Sequence, residues 1–206
     1  VGSSYFGIGR DVYRKANGRL PWSTRLVLAP CLIGQYASLI YYRRKCRPWD
    51  AVTPKLWIGG RLTPSQANEA VESGVTAVLD LTAEFSEPSA LREVSYRNIP
   101  VMDLTAPTQD QLLEIASFIA DRREETVYVH CKIGFSRSAA AIAAYLIMSG
   151  QARGAQEALA IISCARPSII IRPEVVRALN QFEASHRRTE FSDPTFVLAP
   201  AGRALA

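Results

Sequence analysis

The sequence predicts an α/β domain with a mainly parallel central sheet flanked by helices. Three observations point there. From residue 54 onwards strand patterns and helical patterns alternate along the chain, the order that builds a parallel sheet. Val75-Thr-Ala-Val-Leu-Asp-Leu81 is a nearly unbroken apolar run, as expected of a central strand covered on both faces. Val127-Tyr-Val-His130 leads straight into a short loop containing Gly134 and then an Ala-rich helix from Arg137 to about Ser149. That loop would lie at the carboxyl end of a strand, where open α/β sheets bind ligands.

Taken in order, Leu56-Trp-Ile58 reads as a short strand. Thr63-Pro-Ser-Gln66 opens a helix with a capping box and a proline at its first position, and Ser73-Gly74 closes it. After the strand 75–81 comes a loop holding Glu84, Phe85 and Glu87, then a strand from Tyr96 to Val101. Thr108, with Gln111 three residues on, caps a helix that runs to about Arg122. The strand 126–130, the loop and its helix follow. Helices over about 154–164 and 173–187 complete the domain, the last begun by Pro173. The expected organisation is an N-terminal segment, 1–50, a catalytic domain, 51–188, and a mobile or loosely docked tail from Thr189 to Ala206.

The chemistry concentrates at Cys131. Arg137 stands six residues after it, which leaves room for a tight loop whose inward backbone N–H groups would cradle a tetrahedral oxyanion. The following helix aims its free N–H groups and the positive end of its dipole at the same point. A thiol with an ordinary pKa of about 8.5 becomes a thiolate at neutral pH in such a place. Arg137 would grip two phosphate oxygens with its planar fork, Gly134 would allow a positive φ or a close approach to the anion, and Ser138 would donate to the sulfur. Lys132, Ile133, Gly134, Phe135 and Ser136 are the expected phosphate-binding loop. The competing reading is a buried structural Cys with a surface Arg nearby.

A departing ester oxygen needs a proton donor. Asp103, in the loop before the helix capped by Thr108, is the choice over Asp110, which sits in that helix's first turn and there favours the dipole. Asp103 reads otherwise as a turn residue bonding its own backbone. His130 is expected to hold the loop backbone and fix Cys131 rather than carry a proton itself. Cys164 is expected to be a helix-buried thiol rather than a redox partner of Cys131. Arg172 would bind phosphate or headgroup, or pair with a carboxylate.

The 206 residues, 48% hydrophobic, suffice for one core. Four irregularly spaced cysteines make neither a disulfide framework nor a Cys/His ligand set, so a reducing compartment, no cofactor and no metal are expected. The first residue is not Met, which reads as a processed or trimmed form, and no signal peptide is expected. Residues 1–50 hold 9 Lys and Arg against 2 Asp and Glu, whereas residues 51–206 hold 15 against 17. The basic character is therefore confined to the first quarter.

That quarter contains a mostly apolar run from Leu26 to Tyr42 followed by Arg43-Arg-Lys-Cys-Arg47. Seventeen residues sit at the lower limit for spanning a bilayer, and Pro30, Gly34, Gln35 and Ser38 weaken that case. Leu32, Ile33, Tyr36, Leu39 and Ile40 would share one helical face suited to an anionic membrane surface. The alternative is a helix docked on the catalytic domain with its charges solvated. No nucleic-acid partner is expected.

Val-Tyr-Val-His-Cys-Lys-x-Gly-x-Ser-Arg-Ser-Ala, 127–139, resembles the active-site loop of the cysteine-dependent tyrosine and dual-specificity phosphatases. From about Pro54 to Phe182 the chain resembles a dual-specificity phosphatase, most of all the phosphatidylglycerophosphate phosphatases of that family. Ala-Ala-Tyr-Leu-Ile, 143–147, Ile-Arg-Pro, 171–173, and Val-x-Asp-Leu-Thr, 101–105, carry the likeness, and Glu84-Phe85 falls at the family's acidic-aromatic loop. The resemblance implies a two-step, metal-free hydrolysis through Cys131, with Asp103 as general acid. It implies a phosphate-ester substrate, lipid or phosphoprotein. Separately, if the run from Leu26 to Tyr42 spans a membrane, the Arg/Lys cluster after it would keep the catalytic domain cytoplasmic, and a cytoplasmic location at the inner membrane face is the expectation. Phe135 departs from the lipid enzymes, which typically carry a second basic residue there. It favours a phosphomonoester over a highly phosphorylated inositol. A non-catalytic phosphate-binding module is the remaining reading.

Overall fold

A computed structural model describes residues 12–191. Residues 1–11 of the expected N-terminal segment, and the tail expected from Thr189 beyond the end of the last helix, lie outside the described residues. The chain enters through two helices, α1 (Trp22–Val27) and α2 (Ala29–Arg43), and then a β-hairpin, β1 (Trp49–Thr53) and β2 (Leu56–Gly60). Next come α3 (Pro64–Glu72), β3 (Ala77–Thr82), a short α4 (Ser89–Glu93) and β4 (Ser95–Val101). The rest is α5 (Gln109–Ala120), β5 (Val127–Cys131), α6 (Ser136–Met148), α7 (Ala155–Ala165) and α8 (Pro173–Phe191). The sheet order is β1-β2-β5-β3-β4, with β1 antiparallel to β2 and the other pairs parallel.

The strand period of two assigns each side chain of β5 to a face. Val127, Val129 and Cys131 join Ile58 and Leu79 in a large core closed by α5, α6, α7 and α8. Tyr128 turns the other way, with Val78, into a smaller core under α3 and α4. Every residue of β3 and β5 is buried, as the apolar runs require. Both expected capping boxes form: Thr63 and Thr108 accept from the backbones of Gln66 and Gln111, whose side chains return the bond.

Sequence patterning misses three features. β1 is half-buried except for the exposed Ala51 and shows no apolar alternation; pairing with β2 makes it a strand, and it begins at Trp49, inside the basic N-terminal stretch. The short α4 rests largely on one buried residue, Leu91. Cys164 is exposed on α7, not buried in it, because the face that α7 turns inward carries Ala155, Ala158 and Ile162 instead.

The N-terminal segment packs against the domain. On α2, Leu32 and Leu39 are buried while Ile33 and Ile40 stand exposed, so the apolar face expected to be continuous is divided between the protein and solvent. Leu39 packs with Phe85 and Ile133, and Tyr36 meets Phe85 edge-on at 5.0 Å. Arg43 Nη2 donates to the Arg61 carbonyl at 2.6 Å. Ahead of the helices, Lys15 donates to the Asp80 carboxylate and to Thr82, and Glu87 N–H donates to the Gly18 carbonyl. Among the described residues no helix is long and apolar enough to cross a membrane.

Candidate active site

β5 ends at Cys131 and α6 begins at Ser136, so residues 132–135 must reverse direction within one short loop. Gly134 makes that possible: its φ is +83°, and a Cβ there would lie 2.5 Å from the carbonyl carbon of Gly59. All four loop carbonyls are engaged by protein. Lys132 O accepts from Arg61 N–H and Phe135 O from Ala139 N–H. Ile133 O and Gly134 O both accept from the Arg166 guanidinium, each at 3.0 Å. In a trans peptide the N–H lies opposite the carbonyl, so outward carbonyls turn the next amides inward. One of these inward amides, Gly134 N–H, donates to Cys131 Sγ at 3.3 Å.

Ser138 Oγ, fully buried, lies 3.1 Å from the same sulfur. Burial pushes the Cys131 thiol up, but Arg137 and the bonds from Ser138 and Gly134 outweigh it, and the thiol is held below its ordinary pKa. Those are the electrostatics of a nucleophilic cysteine. Ser136 Oγ lies beside them, buried and with no hydrogen-bond partner.

Arg137 is 3% exposed. Its fork meets Glu84 twice, at 2.8 and 3.2 Å, and also donates to Val101 O at 2.9 Å and Asp103 Oδ1 at 3.1 Å. Burial alone would lower its pKa, but Glu84, Cys131 and Asp103 hold it above the ordinary value. Glu84 accepts as well from Ala83 N–H at 2.9 Å, so the loop after β3 presents a fixed carboxylate to the arginine. Lys132 Nζ donates to Gln35 Oε1 on α2 at 2.6 Å and lies 3.5 Å from Asp103 Oδ2.

The structure thus gathers Cys131, Lys132, Ile133, Phe135, Ser136, Arg137 and Asp103 around one cavity of about 620 Å³. Asp110 is exposed in the first turn of α5 and does not line it. Arg172 lines the cavity and pairs with Glu174, so the carboxylate alternative is met. Phe135 meets Tyr42 of α2 edge-on at 6.2 Å.

His130 is on the sheet face opposite Cys131, stacked on Tyr128. Its Nδ1 lies 3.4 Å from Cys131 O, and its Nε2 lies 3.5 Å from Glu87 Oε2 and 3.8 Å from Asp80 Oδ1. It therefore touches the backbone of Cys131 and not the cavity. Asp80, Glu87 and His130 bring metal-ligand atoms within 4.8 Å of one another, but the positive charge beside Asp80 is the Lys15 ammonium. Burial pushes Asp80 up, and Lys15, His130 and the hydrogen bonds then bring its pKa down to about 2. Glu87 is pushed up by its own burial.

Sequence reading missed Gln35, Arg166 and Lys15 altogether, and placed Glu84 in a motif without a partner. Only Glu84 had a local signal, its acidic-aromatic neighbour Phe85.

Residues 56–185 match the family model described as dual specificity phosphatase, catalytic domain. The human protein named phosphatidylglycerophosphatase and protein-tyrosine phosphatase 1 is 35% identical over 184 residues, 80% of this chain and 91% of that protein. Mouse dual specificity protein phosphatase 12 is 32% identical over 105 residues, 48% of this chain; the match spans 31% of that relative's length. The crystal structure of PTPMT1 superposes with a TM-score of 0.63 at 25% identity, covering 70% of this chain and 99% of that one.

Proposed function

This chain belongs to the dual-specificity phosphatase family and is a cysteine-dependent phosphatase, and from that premise we propose that its substrate is a phospholipid headgroup monoester such as phosphatidylglycerophosphate. The likeness to the human phosphatidylglycerophosphatase carries the reading, because it runs over 80% of the chain and so extends past the catalytic-domain match. The described N-terminal surface supports it. Trp22, Leu26, Val27, Ile33, Ile40 and Tyr41 are exposed, and residues 12–48 contain eight Lys and Arg and no Asp or Glu. Such a surface suits an anionic lipid bilayer, which would place the enzyme at a cytoplasmic membrane face.

In the proposed reaction the Cys131 thiolate attacks phosphorus, forming the S–P bond as the ester P–O bond breaks. Arg137 and the loop amides hold the remaining phosphate oxygens as charge builds. The phosphate takes the place of Asp103 on Arg137, and the freed carboxyl of Asp103 gives its proton to the departing oxygen. Water then attacks phosphorus, Asp103 takes its proton, and the S–P bond breaks with Ser138 donating to the leaving sulfur. Gly134 and Ser136 contribute an N–H and an unpartnered hydroxyl to the cradle, Lys132 a second cation, and Ile133 packing against α2.

One observation favours a phosphotyrosine peptide instead: the aromatic pair of Phe135 and Tyr42 at the cavity wall offers a surface for a phenyl ring. The deciding measurement is phosphate release from phosphatidylglycerophosphate in anionic vesicles and from phosphotyrosine peptides, with Cys131→Ser as the blank. A preference of about a hundredfold in kcat/KM for the lipid, roughly 2.7 kcal/mol at the transition state, is expected. A preference for the peptide overturns the lipid reading.

A further inference from the structure

The cavity over Cys131 exceeds what a phosphate group fills. Its volume of about 620 Å³ falls within the range that encloses a whole drug-sized ligand. The cradle supplies Lys132 and Arg137, and the loop before α8 supplies Arg172; much of the remaining wall is apolar or small. Pro30, Gly34, Ser38 and Tyr42 of α2 face this space together with Leu104 and Ile170.

Gly34 has no local reason to be glycine. It lies in the middle of α2, its φ is not in the left-handed region, and a Cβ built on it would meet no atom within 4 Å. Glycine is among the least favourable residues in a helix interior. Nor can the helix slide to fill the gap, since Leu39, Gln35 and Arg43 tie it to Ile133, Lys132 and Arg61. The missing side chain leaves open space on the wall of a cavity whose base holds the nucleophile.

We propose that the space between α2 and the loops carrying Leu104 and Ile170 is a binding subsite for the hydrocarbon part of the phosphate ester, kept open by Gly34. It rests on the phosphatase reading above and specifies which part of the substrate the N-terminal helix recognises. The ligand class is a phosphate monoester with an extended hydrocarbon part, which in phosphatidylglycerophosphate begins beyond the glycerol that bears the phosphate. The phosphate lies in the cradle while the carbon chain displaces water from the α2 wall. Ordinary hydrophobic transfer then makes each added methylene a gain in transition-state binding until the space is full.

The test uses the intact chain and n-alkyl phosphates from ethyl to octyl, below their micelle-forming concentrations, with free phosphate as the readout. In the wild type, kcat/KM is expected to rise with chain length, by up to about fourfold per buried methylene, and then level off. In Gly34→Phe the octyl-to-ethyl ratio of kcat/KM falls at least roughly tenfold, while Ala37→Phe, which adds nearly the same bulk at an exposed position of α2 outside the cavity lining, keeps the wild-type ratio. A flat series in the wild type overturns the subsite, even if Gly34→Phe cannot be purified folded. A rise that survives Gly34→Phe overturns its placement on α2. A rise with chain length alongside no turnover of phosphatidylglycerophosphate would remove the headgroup reading and leave the subsite standing. Turnover of that lipid with a flat alkyl series would do the reverse.

Discussion

Glu84→Gln tests whether the carboxylate behind Arg137 sets the geometry of catalysis. In the wild type the guanidinium makes four bonds to protein, two of them to Glu84 at 2.8 and 3.2 Å, and the pair is almost fully buried. Removing one partner of a buried charge pair costs about 3–5 kcal/mol. Gln keeps one acceptor oxygen and the shape, so a loss of about 1–3 kcal/mol in stability is expected. At about 2–4 °C per kcal/mol for a chain of this size, the melting temperature should fall by at least a few degrees.

The rate should suffer as well. With Gln at position 84, a single uncharged acceptor there joins Val101 O and Asp103 in holding the fork, and in the proposed reaction Asp103 leaves when phosphate arrives. The guanidinium is then free to tilt while it must meet two phosphate oxygens. A fall in kcat of about 10–100-fold, roughly 1.4–2.7 kcal/mol, is expected with a smaller change in KM. The assay is steady-state hydrolysis of phenyl phosphate beside thermal unfolding, repeated in an Arg137→Ala background. If the arginine transmits the effect, Glu84→Gln changes the residual rate there by less than about twofold. A kcat within threefold of wild type, despite a lowered melting temperature, would refute the argument and leave Glu84 as a support of the fold alone.

Three further outcomes follow from the geometry. The Cys131 thiol is held below its ordinary pKa in part by Ser138, so the acidic limb of kcat/KM should lie below the usual thiol range of about 8.5, and Ser138→Ala should move it to higher pH; an unmoved limb counts against the Oγ–Sγ bond. Gly134→Ala forces a Cβ against Gly59 at a φ of +83°, where the left-handed backbone alone costs about 1–2 kcal/mol, and calorimetry should show a loss larger than that; a variant as stable as wild type would mean the loop can relax. Asp80, with a folded pKa of about 2, contributes on the order of 2 kcal/mol that is present above the ordinary carboxylate pKa of about 3.9 and lost as pH falls towards 2. Lys15→Met should remove much of that acid-dependent part of stability, leaving the share held by His130 and Tyr96, and an unchanged acid unfolding curve would place the charge compensation elsewhere.

What could be read from the sequence was local. Cys131, Gly134, Arg137 and Ser138 act within one turn, so their spacing alone describes the cradle, and both capping boxes lie within four residues. Asp103 could be preferred to Asp110 because a helix's first turn already explains an acidic side chain. Gln35, Lys15 and Arg166 could not be read, since each meets its partner across a long stretch of chain: 97 residues for Gln35 to Lys132, 65 for Lys15 to Asp80, 33 for Arg166 to Ile133. Hydrophobic periodicity reports which face of an element is covered, not by what. It could not distinguish Leu32 and Leu39, covered by protein, from Ile33 and Ile40 beside them. Cys164 was misjudged because burial was argued from residue type, and the inner face of α7 was already filled.

The Arg166 guanidinium also makes the cradle depend on chain that precedes and follows the catalytic motif. It is wholly buried and joins Ile133 O and Gly134 O to Arg47 O and the Asp50 carboxylate. A nascent chain grown only to the end of α6 holds the nucleophile, Arg137, Asp103 and every strand of the sheet, yet nothing turns two of the loop carbonyls away from the anion. A product ended there would carry the whole catalytic motif without the residue that holds two carbonyls of its loop outward.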